Sequence, residues 1–246
     1  MARLSVNLNK VALLRNSRRT GVPDLLHFAR IALDAGAQGL TVHPRPDERH
    51  IRRSDIPGIA AVLKPGRPRM ELNIEGYPDE RLLAIVREAK PEQCTLVPDA
   101  PDAFTSEKGW DLSPSQMELA RPAIVALKAI GARVILFIDP DPAVLDRCVE
   151  AGAEGVEIYT GTYAAAFRTG TQAALLEACA ETARRAQARG LVVNAGHDLN
   201  LRNIPPLISR IPRLAEASIG HELTADALEM GFAAAVRAYA AALRGE

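Results

Sequence analysis

Short apolar runs alternate with longer amphipathic segments along the whole chain. The runs are rich in β-branched residues, as strands are, and the segments between them carry apolar residues three or four positions apart, as helices do. Ile124, Leu127 and Ile130 show this helical spacing ahead of one run. The pattern predicts eight strands, within residues 4–9, 39–45, 70–76, 93–99, 133–139, 155–161, 191–196 and 216–221.

Glycine and proline mark the junctions between these elements. The segments AGAQG, IGAR and AGAEG precede the second, fifth and sixth strands, where a left-handed glycine would end a helix. Pro23, Pro78 and Pro114 lie where helices should begin, because the first turn does not need every backbone N–H. Residues 99–115 lack periodicity and predict a long loop after strand four, of the kind that covers substrate. A final alanine-rich helix is expected over about 223–243.

The alternation of strands and helices determines the expected fold class. Strands separated by helices pair in parallel, and eight such units favour closure into an α/β, (β/α)₈ TIM barrel with extra helices. We interpret residues 1–246 as one barrel domain, because no linker or low-complexity tract interrupts them. An open doubly wound sheet is the alternative, although no GxGxxG follows the first strand.

The composition argues against classes of protein that need a strongly charged surface or a membrane-spanning segment. Thirty basic residues balance thirty acidic ones, which argues against general binding to nucleic acid or to a membrane surface. Cys94, Cys148 and Cys179 show neither disulfide nor zinc spacing, as in reducing compartments. The start MARLSVNLN does not resemble a signal peptide, and no apolar window is long enough for a membrane span. We expect a soluble cytoplasmic protein.

Polar residues collect at the carboxyl ends of the predicted strands, where barrel enzymes place their catalytic groups. Imidazole and carboxylate groups transfer protons near neutral pH, so at least one histidine of this set should be catalytic. For each histidine alone, a hydrogen-bonded structural role is the alternative. The residues concerned are Asn7, Asn9, Lys10, His43, Arg45, Asn73, Glu75, Glu157, Tyr159, Thr160, Asn194, His197, Gly220 and His221.

Glu157 differs from the others because it lies inside the apolar run GVEIY. A carboxylate buried without a partner is costly, so we expect either a bound ligand or a nearby cation. A structural salt bridge inside the barrel is the alternative to a catalytic role.

Two regions have the composition of phosphate sites. The loops after strands seven and eight carry NAGHDLN and SIGHELT, whose glycines allow close backbone approach ahead of a helix N-terminus. A guanidinium fork near the barrel mouth would also suit a phosphoester, although solvated surface charge explains any single arginine. The candidate cations after strands one and two are Arg15, Arg18, Arg19, Arg45, Arg49 and His50.

These motifs, in this order, resemble the pyridoxine 5'-phosphate synthase family from end to end. The resemblance is carried by VNLN with LRNSR, LTVHPRPDERHI, LNIEG, CTLVPD with TSEKGWDL, LFID, VEIYTG, VNAGHDLN and SIGH. It implies condensation of 1-deoxy-D-xylulose 5-phosphate with 3-amino-2-oxopropyl phosphate to give pyridoxine 5'-phosphate, phosphate and water. It also implies a homo-octamer that acts on phosphorylated small molecules without a metal or an organic cofactor.

The resemblance assigns roles to individual residues. His43 and Glu75 correspond to proton acceptors, His197 to the proton donor and Glu157 to a group that stabilises charge. The amino-ketone phosphate would be held by Asn7, Arg18 and backbone around Asp198, Gly220 and His221. The deoxyxylulose phosphate would be held by Arg45, His50 and Thr105.

The chain departs from the family pattern at two places. Asn9-Lys10 replaces a common Asp-His pair, and Asp198 follows the histidine where glycine is common. Glu75 is aligned by its Asn-Ile-Glu context, with Glu71 as the alternative.

Two other functions are compatible with the residues. One is a sugar-phosphate isomerase or a Schiff-base aldolase, with Lys10 as the amine of the latter. The other is a non-catalytic barrel that binds a phosphorylated metabolite, which the Asn9-Lys10 change motivates. The joint presence of His43, Glu75, Glu157 and His197 favours an active enzyme.

Overall fold

The computed structural model describes residues 1–99, 106 and 108–246, and eight parallel strands in it form a closed barrel. Each strand pairs with its neighbours in chain order, and β1 closes the ring against β8. The strands are β1 (Arg3–Asn7), β2 (Gly39–Val42), β3 (Glu71–Gly76), β4 (Gln93–Leu96), β5 (Arg133–Ile138), β6 (Gly155–Tyr159), β7 (Val192–Gly196) and β8 (Glu216–Ile219). The predicted (β/α)₈ barrel is confirmed.

Eleven α-helices surround the barrel in the described part of the chain, so the expected extra helices are present. Aspartate side chains cap two of them: Asp24 accepts from the Leu26 N–H at 2.9 Å and Asp79 from the Leu82 N–H at 2.7 Å. The helices are α1 (Asn9–Asn16), α2 (Leu25–Asp34), α3 (Ile56–Leu63), α4 (Glu80–Ala89), α5 (Pro114–Ala129), α6 (Leu145–Ala151), α7 (Gly161–Thr169), α8 (Ala173–Ala188), α9 (Ile204–Arg210), α10 (His221–Met230) and α11 (Phe232–Arg244).

The long final helix expected from the sequence is in fact two helices. Gly231 has φ 83° and ψ 145°, which a right-handed helix cannot include, so α10 ends before it and α11 begins after it. The break turns α11 back onto β1 and α2. The alanine-rich composition predicted helix correctly but could not show that Gly231 redirects the chain.

Alternate strand residues face opposite sides of the barrel wall. Leu72 and Ile74 are fully buried in the apolar layer under the helices, whereas Asn73 and Glu75 face the interior. The interior is unusually polar; for example, Asn73 accepts a hydrogen bond from the Thr95 hydroxyl at 3.1 Å. Polar side chains therefore fill the centre of this barrel and lead up to its mouth.

An ion cluster closes the amino-terminal end of the barrel, and its members are first residues of their strands. Arg3 donates to Glu71 at 2.6 Å and lies 3.7 Å from Glu216. Arg133 also pairs with Glu71, and Gln93 donates to Glu216 at 3.1 Å. Glu71 thus lies at the end of the barrel opposite Glu75, which removes it as the alternative to Glu75 at the mouth.

No helix in the described residues has both the length and the apolar character needed to cross a bilayer. Within the same residues, no group of three or more His, Cys, Asp or Glu side chains is arranged to hold a metal ion.

Candidate active site

A cavity of about 360 Å³ opens at the carboxyl ends of the strands. This volume is in the range of sites that bind small molecules. Ten of the twelve residues predicted for the site line it: Asn7, His43, Arg45, His50, Glu75, Glu157, His197, Asp198, Gly220 and His221. The barrel thus brings together residues from the ends of β1, β2, β3, β6, β7 and β8, which are the strand ends that the sequence singled out.

His43 and Glu75 face each other where β2 and β3 end. His43 Nδ1 lies 3.9 Å from Glu75 Oε2, and the Asn7 amide donates to the same oxygen at 3.4 Å. Both side chains are nearly buried, with exposed fractions of 10% and 12%. A carboxylate and an imidazole so close together can exchange a proton directly or through a substrate atom between them.

The two groups are tuned in opposite directions by the same burial. Burial raises the pKa of Glu75 to about 7, with a contribution from the charge of Glu216, although Arg45 opposes the rise. Burial also lowers the pKa of His43 well below its usual value, with Arg45 and His50 adding to the effect. Near neutral pH, His43 is therefore a neutral base, while Glu75 is divided between its two protonation states.

Asn9 fixes the backbone from which His43 projects. Its side-chain oxygen accepts a hydrogen bond from the His43 N–H at 3.0 Å, just beyond the last residue of β2. The predicted first strand reached residue 9, but β1 ends at Asn7. Asn9 and Lys10 instead form the first turn of α1. Lys10 lines the cavity from that position.

Glu157 lies deeper in the barrel and is only 3% exposed. Its Oε2 atom makes no hydrogen bond with the described residues, and none of them forms an ion pair with it. The alternative that Glu157 forms a structural salt bridge is therefore wrong as far as the described residues are concerned. Burial, together with the charges of Glu75 and Glu216, raises the pKa of Glu157 well above its usual value, so the site favours the protonated form of this carboxyl.

Gly196 at the end of β7 makes room for the Glu157 side chain. A Cβ atom at this position would overlap the Glu157 carboxylate. Glu157 pairs with Asn194, two residues before Gly196, and its carboxylate extends along the neighbouring strand to the glycine. The glycine that the sequence suggested for a phosphate loop thus also accommodates a buried acid.

His197 follows Gly196 and turns its ring onto an aromatic wall. The ring centroid lies 5.3 Å from that of Phe137 and 5.2 Å from that of Tyr159. Burial lowers the pKa of His197; Asp198 opposes this, whereas Arg45 and Lys10 add to it. In the unliganded protein this imidazole is therefore neutral at pH 7.

The cations of the site lie on the β2 side of the mouth. Arg45 is 5% exposed, and His50 lies with its ring centroid 6.1 Å from that of His43. Burial lowers the pKa of His50 to about 4, with help from Arg45 and Arg49. The positive potential that keeps His50 neutral would favour an anion at this end of the cavity.

Two predicted site residues are not among those that line the cavity. Arg18 is exposed just beyond the end of α1, and Thr105 lies outside the described residues. Arg15, which the sequence suggested as part of an anion site, lies within α1 and donates to both oxygens of Asp55, at 2.6 and 2.9 Å. Because its guanidinium is already paired there, the interpretation of Arg15 as a phosphate ligand is wrong.

The cavity also contains residues that the sequence did not select. Phe137 lies in the apolar run RVILFID, which indicates only a strand, yet its side chain faces the interior at the mouth. Ser218 occupies an inward position of β8, and Glu222 lies in the first turn of α10. The two-residue period of the strands could have identified Phe137 and Ser218, since each lies two residues from an inward neighbour.

Comparison with known proteins agrees with this architecture. A family model described as pyridoxal phosphate biosynthesis protein PdxJ matches residues 4–245. The pyridoxine 5'-phosphate synthase of Allorhizobium ampelinum is 51% identical over 241 residues, covering 97% of this chain and 96% of the relative. That of a Chelativorans species is 52% identical over 243 residues, covering 98% of both chains.

Solved structures at low identity show the fold alone. A tryptophan synthase structure from M. tuberculosis has a TM-score of 0.66 at 16% identity, covering 99% of this chain and 93% of that one. The thiamine phosphate pyrophosphorylase of Pyrococcus furiosus has a TM-score of 0.61 at 10% identity, covering 99% and 95%. The match over residues 4–245 confirms the resemblance seen in the motifs, and the chain belongs to the PdxJ family of pyridoxal phosphate biosynthesis proteins.

Proposed function

We propose that this chain is a pyridoxine 5'-phosphate synthase, an enzyme that condenses 1-deoxy-D-xylulose 5-phosphate with 3-amino-2-oxopropyl phosphate. The products are pyridoxine 5'-phosphate, inorganic phosphate and water. Family membership and relatives of that name at about half identity support the assignment. The observation that carries the chemistry is a single buried cavity lined by His43, Glu75, Glu157 and His197.

The reaction needs several proton transfers, and the site holds groups in the matching states. An amine must attack a ketone, the resulting carbinolamine must lose water, and carbon-bound protons must leave before the ring closes. Neutral His43 and the ionised fraction of Glu75 are suited to accept protons from nitrogen and carbon. Because His43 Nδ1 and Glu75 Oε2 are 3.9 Å apart, a proton taken up by one group can pass to the other between steps.

Glu157 supplies the opposite function. In the protonated form that its surroundings favour, this carboxyl group can donate a hydrogen bond to a developing oxyanion or a proton to a departing hydroxyl group. Because Glu157 is only 3% exposed, an intermediate bound against it would be shielded from bulk water, which would protect an imine or an enamine from hydrolysis.

His197 would serve as the proton donor once substrate is bound. The cations Arg45 and Lys10 help to keep it neutral in the free protein. A phosphate dianion bound beside them would offset that charge and raise the pKa of His197. Substrate binding would thus prepare the imidazole to carry the proton that it later gives up.

The two phosphates would occupy different parts of the mouth. Arg45 and His50 face the end proposed for the deoxyxylulose phosphate. Backbone near Asp198, Gly220 and His221, with Asn7, faces the end proposed for the amino-ketone phosphate, where α10 begins. Arg18 and Thr105 remain proposals for the respective phosphates, from the resemblance alone.

The direct test is to incubate the purified chain with both phosphorylated substrates and to measure pyridoxine 5'-phosphate and released phosphate. Equal amounts of both products are expected, and His43→Ala should abolish turnover without changing the melting temperature greatly. Absence of product under conditions where the Chelativorans relative is active would refute the proposal.

A Schiff-base aldolase is the second candidate, because Lys10 lines the cavity. Borohydride reduction in the presence of a ketose phosphate, followed by mass spectrometry, would trap a covalent adduct on Lys10 if that were the chemistry. A synthase should give pyridoxine 5'-phosphate and no such adduct.

We further propose that the protein is a cytoplasmic homo-octamer. The three free and buried cysteines are consistent with a reducing compartment. Exposed apolar side chains on three helices, Leu14, Val125 and Leu228, support contact between copies of the chain. Mass photometry should give eight times the mass of one chain, and a monomer at micromolar concentration would contradict this assembly.

A further inference from the structure

The loop after β7 contains two consecutive residues in the left-handed region of backbone conformation. His197 has φ 78° and Asp198 has φ 56°. Residues other than glycine rarely adopt this conformation, and two in succession persist only when their surroundings hold them. The His197 ring nevertheless lies at a defined place against Phe137 and Tyr159. Something in the fold must therefore fix this turn.

Thr160, which follows β6, holds the first half of the turn. It is fully buried, and its hydroxyl lies 2.5 Å from the Gly196 carbonyl oxygen and 2.6 Å from that of His197, sharing its proton between them. Its backbone N–H donates to the Gly196 carbonyl at 2.8 Å. One residue thus ties the end of β6 to the two carbonyl groups that flank the Cα atom of His197.

Asn203 holds the second half. It is also fully buried, and its amide donates to the Asp198 carbonyl at 3.0 Å while its side-chain oxygen accepts from the Asn200 N–H at 2.7 Å. The Tyr163 hydroxyl in turn donates to the Asn203 carbonyl at 2.8 Å. The carbonyls of both left-handed residues are therefore held by buried side chains from outside the turn.

We propose that Thr160 and Asn203 are positioning residues, which hold His197 and Asp198 in the left-handed conformation and so direct the His197 imidazole into the cavity. The catalytic part of this inference rests on the proposed function. Neither Thr160 nor Asn203 is among the residues that line the cavity, so each can act on the substrate only through the turn. A displaced imidazole would lose its alignment with substrate even though the barrel remained folded.

A purely structural role is the competing explanation, and Tyr163 provides the matched control. Thr160→Val and Tyr163→Phe each remove one buried hydroxyl that donates to a backbone carbonyl, with little change of shape. Both should lower the melting temperature, because each leaves a buried carbonyl with one donor fewer. Only Thr160→Val removes a bond to the left-handed turn itself.

The kinetic test measures kcat and both KM values with the two phosphorylated substrates. Thr160→Val should lower kcat by about 10-fold to 100-fold, and Tyr163→Phe by less than about threefold. The KM for deoxyxylulose phosphate, which we place at Arg45, should be unchanged. Thr160→Ser keeps the hydroxyl and should restore kcat to within about threefold of the parent. Unchanged kcat in Thr160→Val, an equal loss in Tyr163→Phe, or no rescue by serine would overturn the proposal.

Asn203→Asp is the second variant, and it is decisive if Thr160→Val does not fold. It keeps the shape and the acceptor for the Asn200 N–H but replaces the donor to the Asp198 carbonyl with an acceptor. It should lower kcat in the same way, with the KM for deoxyxylulose phosphate again unchanged. Wild-type kcat in this variant would contradict a positioning role for Asn203.

Crystal structures separate failure of this inference from failure of the proposed function. In Thr160→Val, His197 should leave positive φ and its ring should move away from Phe137 and Tyr159. If the unsubstituted protein makes no pyridoxine 5'-phosphate, the proposed function fails, but these structures still test the turn. An unchanged His197 φ and ring position in the variant would overturn the inference whatever the activity.

Discussion

Replacing Glu75 with glutamine should stabilise the protein at alkaline pH while abolishing turnover. Glutamine keeps the shape of the side chain and an oxygen that can accept from the Asn7 amide, now 3.4 Å from Glu75 Oε2. What the substitution removes is a buried ionisable group. Because burial raises the pKa of Glu75, the folded state resists an ionisation that the unfolded chain undergoes readily.

The sign and the size follow from the two pKa values. Well below pH 4.5 the carboxyl is neutral in both the folded and the unfolded state, so glutamine and glutamate should be nearly equivalent. As the pH rises, the unfolded chain ionises first, and each pH unit up to about 7 costs the folded state about 1.4 kcal/mol. Above pH 7 the variant should therefore exceed the parent by about 3 kcal/mol in free energy of unfolding.

Urea unfolding of both proteins at fixed protein concentration, from pH 4 to pH 8, measures this difference. Glu71→Gln is the matched control, because Glu71 lies four residues earlier on the same strand. Arg3 and Arg133 lower its pKa although burial opposes them, so its ionised form stabilises the fold. That stability is present above pH 4.5 and is lost as the pH falls through the folded-state pKa, so Glu71→Gln should destabilise the protein at pH 7.

At pH 7 and above, Glu75→Gln should thus raise the free energy of unfolding, whereas Glu71→Gln in the same strand should lower it. A Glu75→Gln protein that is less stable than the parent at pH 8 would refute the reasoning. So would a stability difference that does not change between pH 4 and pH 8, because the effect must follow the ionisation of this carboxyl.

Three further outcomes are expected. Gly196→Ala should lower stability by about 1–3 kcal/mol and reduce kcat, because the new methyl group displaces the Glu157 carboxylate; a melt and a kinetic assay check both. Asp198→Asn removes a charge that raises the pKa of His197, so the alkaline limb of the kcat profile should move to lower pH. Arg45→Lys should raise the KM for deoxyxylulose phosphate by about 10-fold to 100-fold, since lysine cannot form the bidentate contact; an unchanged KM would place that phosphate elsewhere.

Most of the fold follows from local sequence patterns. Each of the eight strands overlaps one of the predicted apolar runs, because burial in a parallel sheet requires runs of this kind. The ends of the elements were less predictable. The run 39–45 extends past β2, which ends at Val42, and the run 4–9 includes the start of α1. A run of apolar residues indicates that a segment is buried, not where its strand ends. Residues in the loops at the mouth are buried too, so the apolar runs continue past the strand ends.

The site was predictable wherever strand ends determine it. His43, Glu75, Glu157 and His197 meet because the carboxyl ends of all strands in a barrel point the same way. Interactions between loops could not be predicted. Nothing in the sequence shows that Arg15 in α1 pairs with Asp55, which directly precedes α3, or that Thr160 holds the turn after β7. Such pairings depend on three-dimensional placement rather than on any local period.

The ion cluster at the amino-terminal end has a consequence for which barrel the chain can form. Arg3 contributes from the first strand and Glu216 from the last, and they meet only if the ring closes between β1 and β8. An open doubly wound sheet would separate these charges and leave the buried Glu216 carboxyl without the nearby Arg3 cation, which is unfavourable. A slip of one residue between the same strands would move Arg3 into the apolar layer under the helices. The charges at the closed end thus favour both closure and register, and the spacing of His43, Glu75, Glu157 and His197 at the open end depends on that register.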